Sequence, residues 1–167
     1  SGETALASEP ADTDEFLVSD AGTLKRIDYS LIKPGFTLLQ TTTISDAATV
    51  TIGSAAIFSS TYKTYFIQGS NIHFATDAVQ GRAYFQHSGS DVTANYSRSR
   101  IRMKDDSATV SGDSNNANAG SIDNLFGYNV GNASGESANF TAYLYDPAST
   151  DNYKFLYSMA SYSENDA

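Results

Sequence analysis

From Phe36 to Tyr162 the chain alternates short apolar runs with clusters of Ser, Thr, Asn, Asp and Gly. No stretch of ordinary helical length repeats its apolar positions every 3.6 residues, so the pattern predicts strands joined by turns. The chain reads as organised around residues 48–74. A short strand at 48–52, a loop of small residues and a longer strand at 62–74 are expected there. Under strict alternation Phe66, Ile72 and Phe74 fall on one face of the longer strand, with Tyr65 and Ile67 on the other. A strand apolar on both sides belongs at the centre of a sandwich.

The same reasoning places strands at 36–44 (FTLLQTTTI) and 80–87, the latter with Ala83 and Phe85 on one face and Arg82, Tyr84 and Gln86 on the other. Turns are expected from Asp46, at 76–77 and at 88–91. Residues 95–104 alternate strictly. Arg98, Arg100, Arg102 and Lys104 share one face, and Ser97, Ser99, Ile101 and Met103 the other. Residues 105–120 are polar and read as a loop of about 16 residues, a length that usually marks a functional or mobile segment. A short strand or turn follows at 122–130, around Leu125, Phe126 and Tyr128. Residues 137–145 point Phe140, Ala142 and Leu144 inward and Asn139, Thr141, Tyr143 and Tyr145 outward. After a turn at 146–151, residues 153–162 form the last strand, and 164–167 open another turn. These roughly eight or nine strands predict an all-β, antiparallel, jelly-roll-like β-sandwich over residues 34–167, cut short at its C-terminal end.

Residues 1–13 are small, acidic and polar, and read as a flexible linker. Residues 14–33 hold a hairpin, with strands around Phe16-Leu17-Val18 and Leu24-Lys25-Arg26-Ile27. Its turn supplies Gly22 for a positive φ. Lys33-Pro34-Gly35 then breaks the chain. An isolated two-stranded unit is marginal in water. Phe16, Val18, Leu24 and Ile27 are therefore expected to pack on the following domain or on copies of the hairpin around an axis.

Composition narrows the function. Cys is absent, which removes disulfides and thiolate metal sites. A net charge of −9 argues against general binding to nucleic acid. No apolar run approaches the ~20 residues of a membrane span, and no signal peptide is evident. The start at Ser1 suggests a piece of a longer polypeptide or a processed product.

Candidate chemistry is sparse. His73 lies within the long strand and His87 beside a turn, and two separated histidines make neither a zinc site nor a Ser-His-Asp set. Residues 113–118 resemble a calcium loop faintly, but Asn118 stands where the sharp turn needs Gly. The carboxylates are scattered, so no glycosidase pair emerges. The chain is expected to be no enzyme and to need no cofactor or metal. The Arg98/Arg100/Arg102/Lys104 stripe is the least ordinary feature. It suits an anion site for an acidic glycan or a neighbouring subunit's carboxylates, or else a solvated face that protects a strand edge. Tyr84, Tyr143 and Tyr145 point outward and could stack sugars or pack at an interface.

The hairpin residues Phe16, Leu17, Val18, Asp20, Gly22, Leu24, Lys25, Arg26 and Ile27 resemble a segment of trimeric regions in bacteriophage tail-fibre proteins. Residues 36–162 resemble the C-terminal β-sandwich of fibre-like virion proteins, through Phe58, Ser60, Tyr62, Tyr65 and Ile67 and the later strands around Phe140 and Tyr153. The resemblance implies a homotrimeric structural protein of the virion, in a tail fibre or other appendage, in contact with other virion proteins and with a host-surface glycan. A capsid decoration or head-fibre protein, and a carbohydrate-binding module of a larger enzyme, are the alternatives.

Overall fold

The strands run β1 (Glu15–Asp20), β2 (Thr23–Asp28), β3 (Thr64–Ile72), β4 (Gln86–His87), β5 (Ser90–Asp91), β6 (Tyr96–Lys104), β7 (Ser107–Ala119), β8 (Ala138–Tyr145) and β9 (Phe155–Tyr162). They belong to a computed structural model that describes residues 8–32, 35–45, 47–104 and 107–164. Every strand pairing is antiparallel, so the fold is all-β as the pattern predicts. The chain divides into two compact units, Ser1–Thr43 and Ile44–Ala167. The start of the linker, the Lys33-Pro34 break, the turn at Asp46, residues 105–106 and the final turn at 165–167 lie outside the described residues.

In the first unit β1 pairs with β2 around Ala21-Gly22, both at positive φ (49° and 84°). This two-residue turn twists in the sense of the strands it joins. The pairing puts Phe16, Val18 and Ile27 on one face, where the Phe16 ring lies 6.1 Å from that of Tyr29. Leu24 sits opposite Ser19 and shares the other face with Leu17. Arg26 Nη1 donates to Glu15 Oε2 at 2.6 Å, and Lys25 pairs with Asp20. The expected strand at 36–44 does not form: these residues lie in no sheet, with Phe36 and Leu38 73% and 83% exposed. Strand propensity fits a pleated, half-buried surface, and alone it supplies neither ladder nor burial.

The second unit is built on β8, the middle strand of the order β3-β8-β9. Phe140, Ala142 and Leu144 are buried, as their alternation predicts. β3 is an edge strand of this sheet, not the central one. Its two apolar faces have a local cause. The register runs Gly69↔Phe140 and then Ile72↔Ala138, which inserts one extra residue into β3. Asn71 sits there at φ 54°, and its N–H donates to Asn139 Oδ1 at 2.8 Å. The bulge moves Ile72 to the side of Tyr65 and Ile67, and Phe74 also ends over the core. Phe66 is left outside, 41% exposed.

The core lies on that one side. Phe74, Phe126 and Phe140 stack in series, with centroids 6.1 and 5.0 Å apart. Leu125 and Val130 are buried beneath them, and Val130 bridges to both Val79 and Glu164. The cover over the sheet is thus the segment 122–130, where a sandwich would place a second large sheet. The Tyr65 hydroxyl is shared between the carbonyls of Ile57 and Ser59, each at 2.9 Å, and the Phe58 ring meets Tyr65 edge-on at 5.0 Å. This cap holds residues 54–59 as turns.

Three further expectations are corrected. Residues 48–52 form no strand, and Ile52 stays 45% exposed. Over 80–87 only Gln86-His87 is a strand. Ala83 makes a single bridge to Ile122, and the chain reverses at Ser88-Gly89 so that Ser90-Asp91 already belongs to β5. Within the expected loop at 105–120, residues 107–119 form β7, paired along β6. Its Ser/Asn/Ala sequence lacks apolar alternation, and its order comes from the ladder to β6 and from Asp113.

Candidate functional site

β6 presents its arginines to the body of the unit and its apolar residues to solvent. Arg98, Arg100 and Arg102 keep only 19%, 22% and 19% of their side chains exposed. Ile101 and Met103 are 77% and 79% exposed. The arginine stripe is therefore not a solvated face. The Lys104 side chain lies outside the described residues.

Acidic partners arrive from three directions. Asp113, opposite Arg100 on β7, accepts from Arg100 Nη2 at 2.6 Å and lies 3.5 Å from Arg98 Nη2. Asp123, from the segment after β7, lies 3.8 Å from Arg98 Nη1 and 3.3 Å from Arg82 Nε, and Ser121 donates to it. Glu164, beyond β9, accepts from Arg102 Nη1 at 2.8 Å. The Asn124 amide oxygen, in the orientation its donors require, accepts from Arg98 Nη1 at 3.0 Å and Arg100 Nη1 at 3.1 Å. Tyr128 lies beneath the guanidiniums of Arg100 and Arg102, 5.2 and 5.0 Å from its ring centre. That distance is within reach of cation–π attraction.

The result is an open depression of about 340 Å³ lined by Arg98, Arg100, Arg102, Asp113, Asp123, Asn124 and Tyr128, with Gln80, Ser111 and Gly112. With Arg82 and Glu164 at the margin of the cluster, four guanidiniums face three carboxylates, so its charge is nearly balanced. An external anion would compete with the chain's own carboxylates. What the arrangement does chemically is to clip the β6–β7 hairpin, the 121–128 segment and the end of β9 together. Beside it, Tyr96 is 7% exposed, and its hydroxyl oxygen accepts from the Phe85 N–H at 2.7 Å. Burial raises its pKa above the ordinary tyrosine value; the Phe85 hydrogen bond opposes the shift, and Asp91 and Tyr84 add to it.

The tyrosines separate. Tyr143 and Tyr145 stand together on the outer face of β8, with ring centres 6.5 Å apart. Tyr84, 42% exposed, lies between the Ala83 bridge and β4 and shares no sheet with them. Of the expected oligomerisation residues, Phe16, Val18 and Ile27 share one face of the hairpin, and Leu24 lies on the other. His73 is exposed and lies 3.0 Å from Asn71 Oδ1 through its Nε2. Asp113 stands in β7, where a calcium loop would have to turn. Among the described residues no three His, Asp or Glu side chains gather as a metal site. Sequence reading missed Tyr128, Asn124, Asp123 and Glu164 as partners. The hint was present in β6 itself, because a basic stripe in an acidic chain needs acidic cover from elsewhere.

No protein-family model, curated protein or solved structure matches this chain.

Proposed function

We propose that this chain is a structural subunit of a homo-oligomeric virion appendage, of the tail-fibre kind that its sequence motifs resemble. The observation that carries the reading is the first unit's hairpin. Six-residue strands leave Leu17 and Leu24 70% and 68% exposed and Phe16 39% exposed, on both faces of a ribbon too small to be stable alone. Copies arranged around an axis would bury these side chains. The nearly balanced arginine cluster supports a structural role over capture of an acidic glycan.

Native mass spectrometry tests the assembly: a trimer supports the reading, and a strict monomer sinks it in favour of a carbohydrate-binding module. Removal of residues 1–33 is expected to weaken assembly while the second unit keeps its melting transition. Antibody labelling of intact particles separates a tail appendage from the second reading, a capsid decoration or head fibre.

A further inference from the structure

The β3-β8-β9 sheet has two apolar faces, and the core uses one. The other carries Phe66, Tyr143, Tyr145, Phe155, Tyr157 and Met159 in adjoining cross-strand positions. Tyr143 is paired with Phe66 on one side and Tyr157 on the other, and Tyr145 is paired with Phe155. Apart from half-buried Tyr143, these side chains are 41–66% exposed. Phe66 and Tyr143 already touch, with ring centres 5.2 Å apart.

Three physical facts bear on what covers this face. The first is area. Aromatic side chains present ~150–250 Å² each, so five of them and a methionine, about half exposed, offer roughly 600 Å². That is at the upper end of the patches found on monomers, and with the surrounding Thr, Gln and Ser it nears the ~800 Å² each partner gives a standard interface. The second is charge. None of the three strands contains a charged residue, in a chain of net charge −9. Copies of so acidic a chain repel over most of their surface, and an uncharged face lets them meet without burying a carboxylate. The third is pattern. A strand such as β8, with Phe140, Ala142 and Leu144 on one side and Tyr143 and Tyr145 on the other, is the kind found between two layers, and here the described residues of the second unit supply one layer.

We infer that this face docks a second copy of the same chain, sheet against sheet, so that the second layer of a β-sandwich is completed between chains. The two sheets lie ~10 Å apart with their side chains interleaved, and Tyr143, at the middle of the face, approaches its own counterpart. This contact belongs to the second unit and does not depend on the hairpin or on a place in a virion.

The absence of cysteine permits a direct test on the full chain. Tyr143→Cys is expected to form a covalent dimer under mild oxidation at micromolar protein, and Thr76→Cys, exposed on a turn, is not. Tyr157→Lys and Met159→Lys, each checked for native circular dichroism, are expected to weaken self-association at least tenfold in sedimentation velocity. Cross-linking of Tyr143→Cys no faster than of Thr76→Cys would overturn the inference, as would unchanged association of both lysine variants. So would a monomeric chain whose face is instead protected from hydrogen exchange by a neutral polysaccharide. Loss of assembly only on removal of residues 1–33, with Tyr143→Cys inert, would leave the hairpin reading standing and this one refuted.

Discussion

The Phe140 ring occupies the space where a side chain on Gly69 would be. The two residues are directly paired across β3 and β8, and a Cβ at position 69 would meet the ring and also come within 3.0 Å of Ile72 Cδ1. Gly69→Ala should therefore force Phe140 out of its stack with Phe126. A loss of about 1–3 kcal/mol is expected, as for other overpacked cores, read from urea denaturation. An unchanged midpoint would mean that this ring does not lie on this glycine.

Tyr128 is expected to contribute through its ring rather than its hydroxyl. Tyr128→Leu removes the π-face beneath Arg100 and Arg102 and should lower stability by about 0.5–2 kcal/mol. Tyr128→Phe should remain close to the parent. Thermal denaturation of both variants separates the ring's contribution from the hydroxyl's, because equal losses would point to the hydroxyl.

Stability should fall at high pH, with Tyr96 as one cause. Its folded pKa is raised, chiefly by burial, so the unfolded chain releases the phenol proton first. The stabilisation is complete below the unfolded value of about 10 and declines as pH rises from there towards the folded pKa. Tyr96→Phe should flatten the alkaline limb of a stability-versus-pH curve. It should also lower stability at neutral pH by about 1 kcal/mol, because the Phe85 N–H loses its acceptor.

Ala21 holds φ 49° in the β1–β2 turn, a region that disfavours side chains with a Cβ by about 1–2 kcal/mol. Asn tolerates it better. Ala21→Asn should make the hairpin more persistent, seen as slower amide exchange over residues 16–27. Faster exchange there would contradict the turn geometry.

The residue pattern revealed β8 and β6, which alternate over their own length, and β9 and the first hairpin, which are short apolar runs bounded by turn residues. It failed where order depends on a partner. β7 has no apolar face of its own, and its ladder to β6 and the Asp113 pairs are long-range facts. Residues 36–44 show the converse, with strand-like residues that join no sheet. The arginine stripe was legible as a stripe. Its neutralisation was not, since Asp123, Asn124, Tyr128 and Glu164 come from segments that give no periodic signal.

The extra residue in β3 sets a tolerance for length that differs from the tolerance for chemistry. Substituting Asn71 by Gly would leave every later side chain where it is. Deleting it would remove the bulge and restore regular pairing, with Ile72 still opposite Ala138 and still facing the core, whereas inserting one more residue there would turn Ile72 and Phe74 to the solvent. For this protein the bulge should therefore tolerate the loss of a residue better than the gain of one, so a paired deletion and insertion at position 71 would map β3 more sharply than an alanine scan.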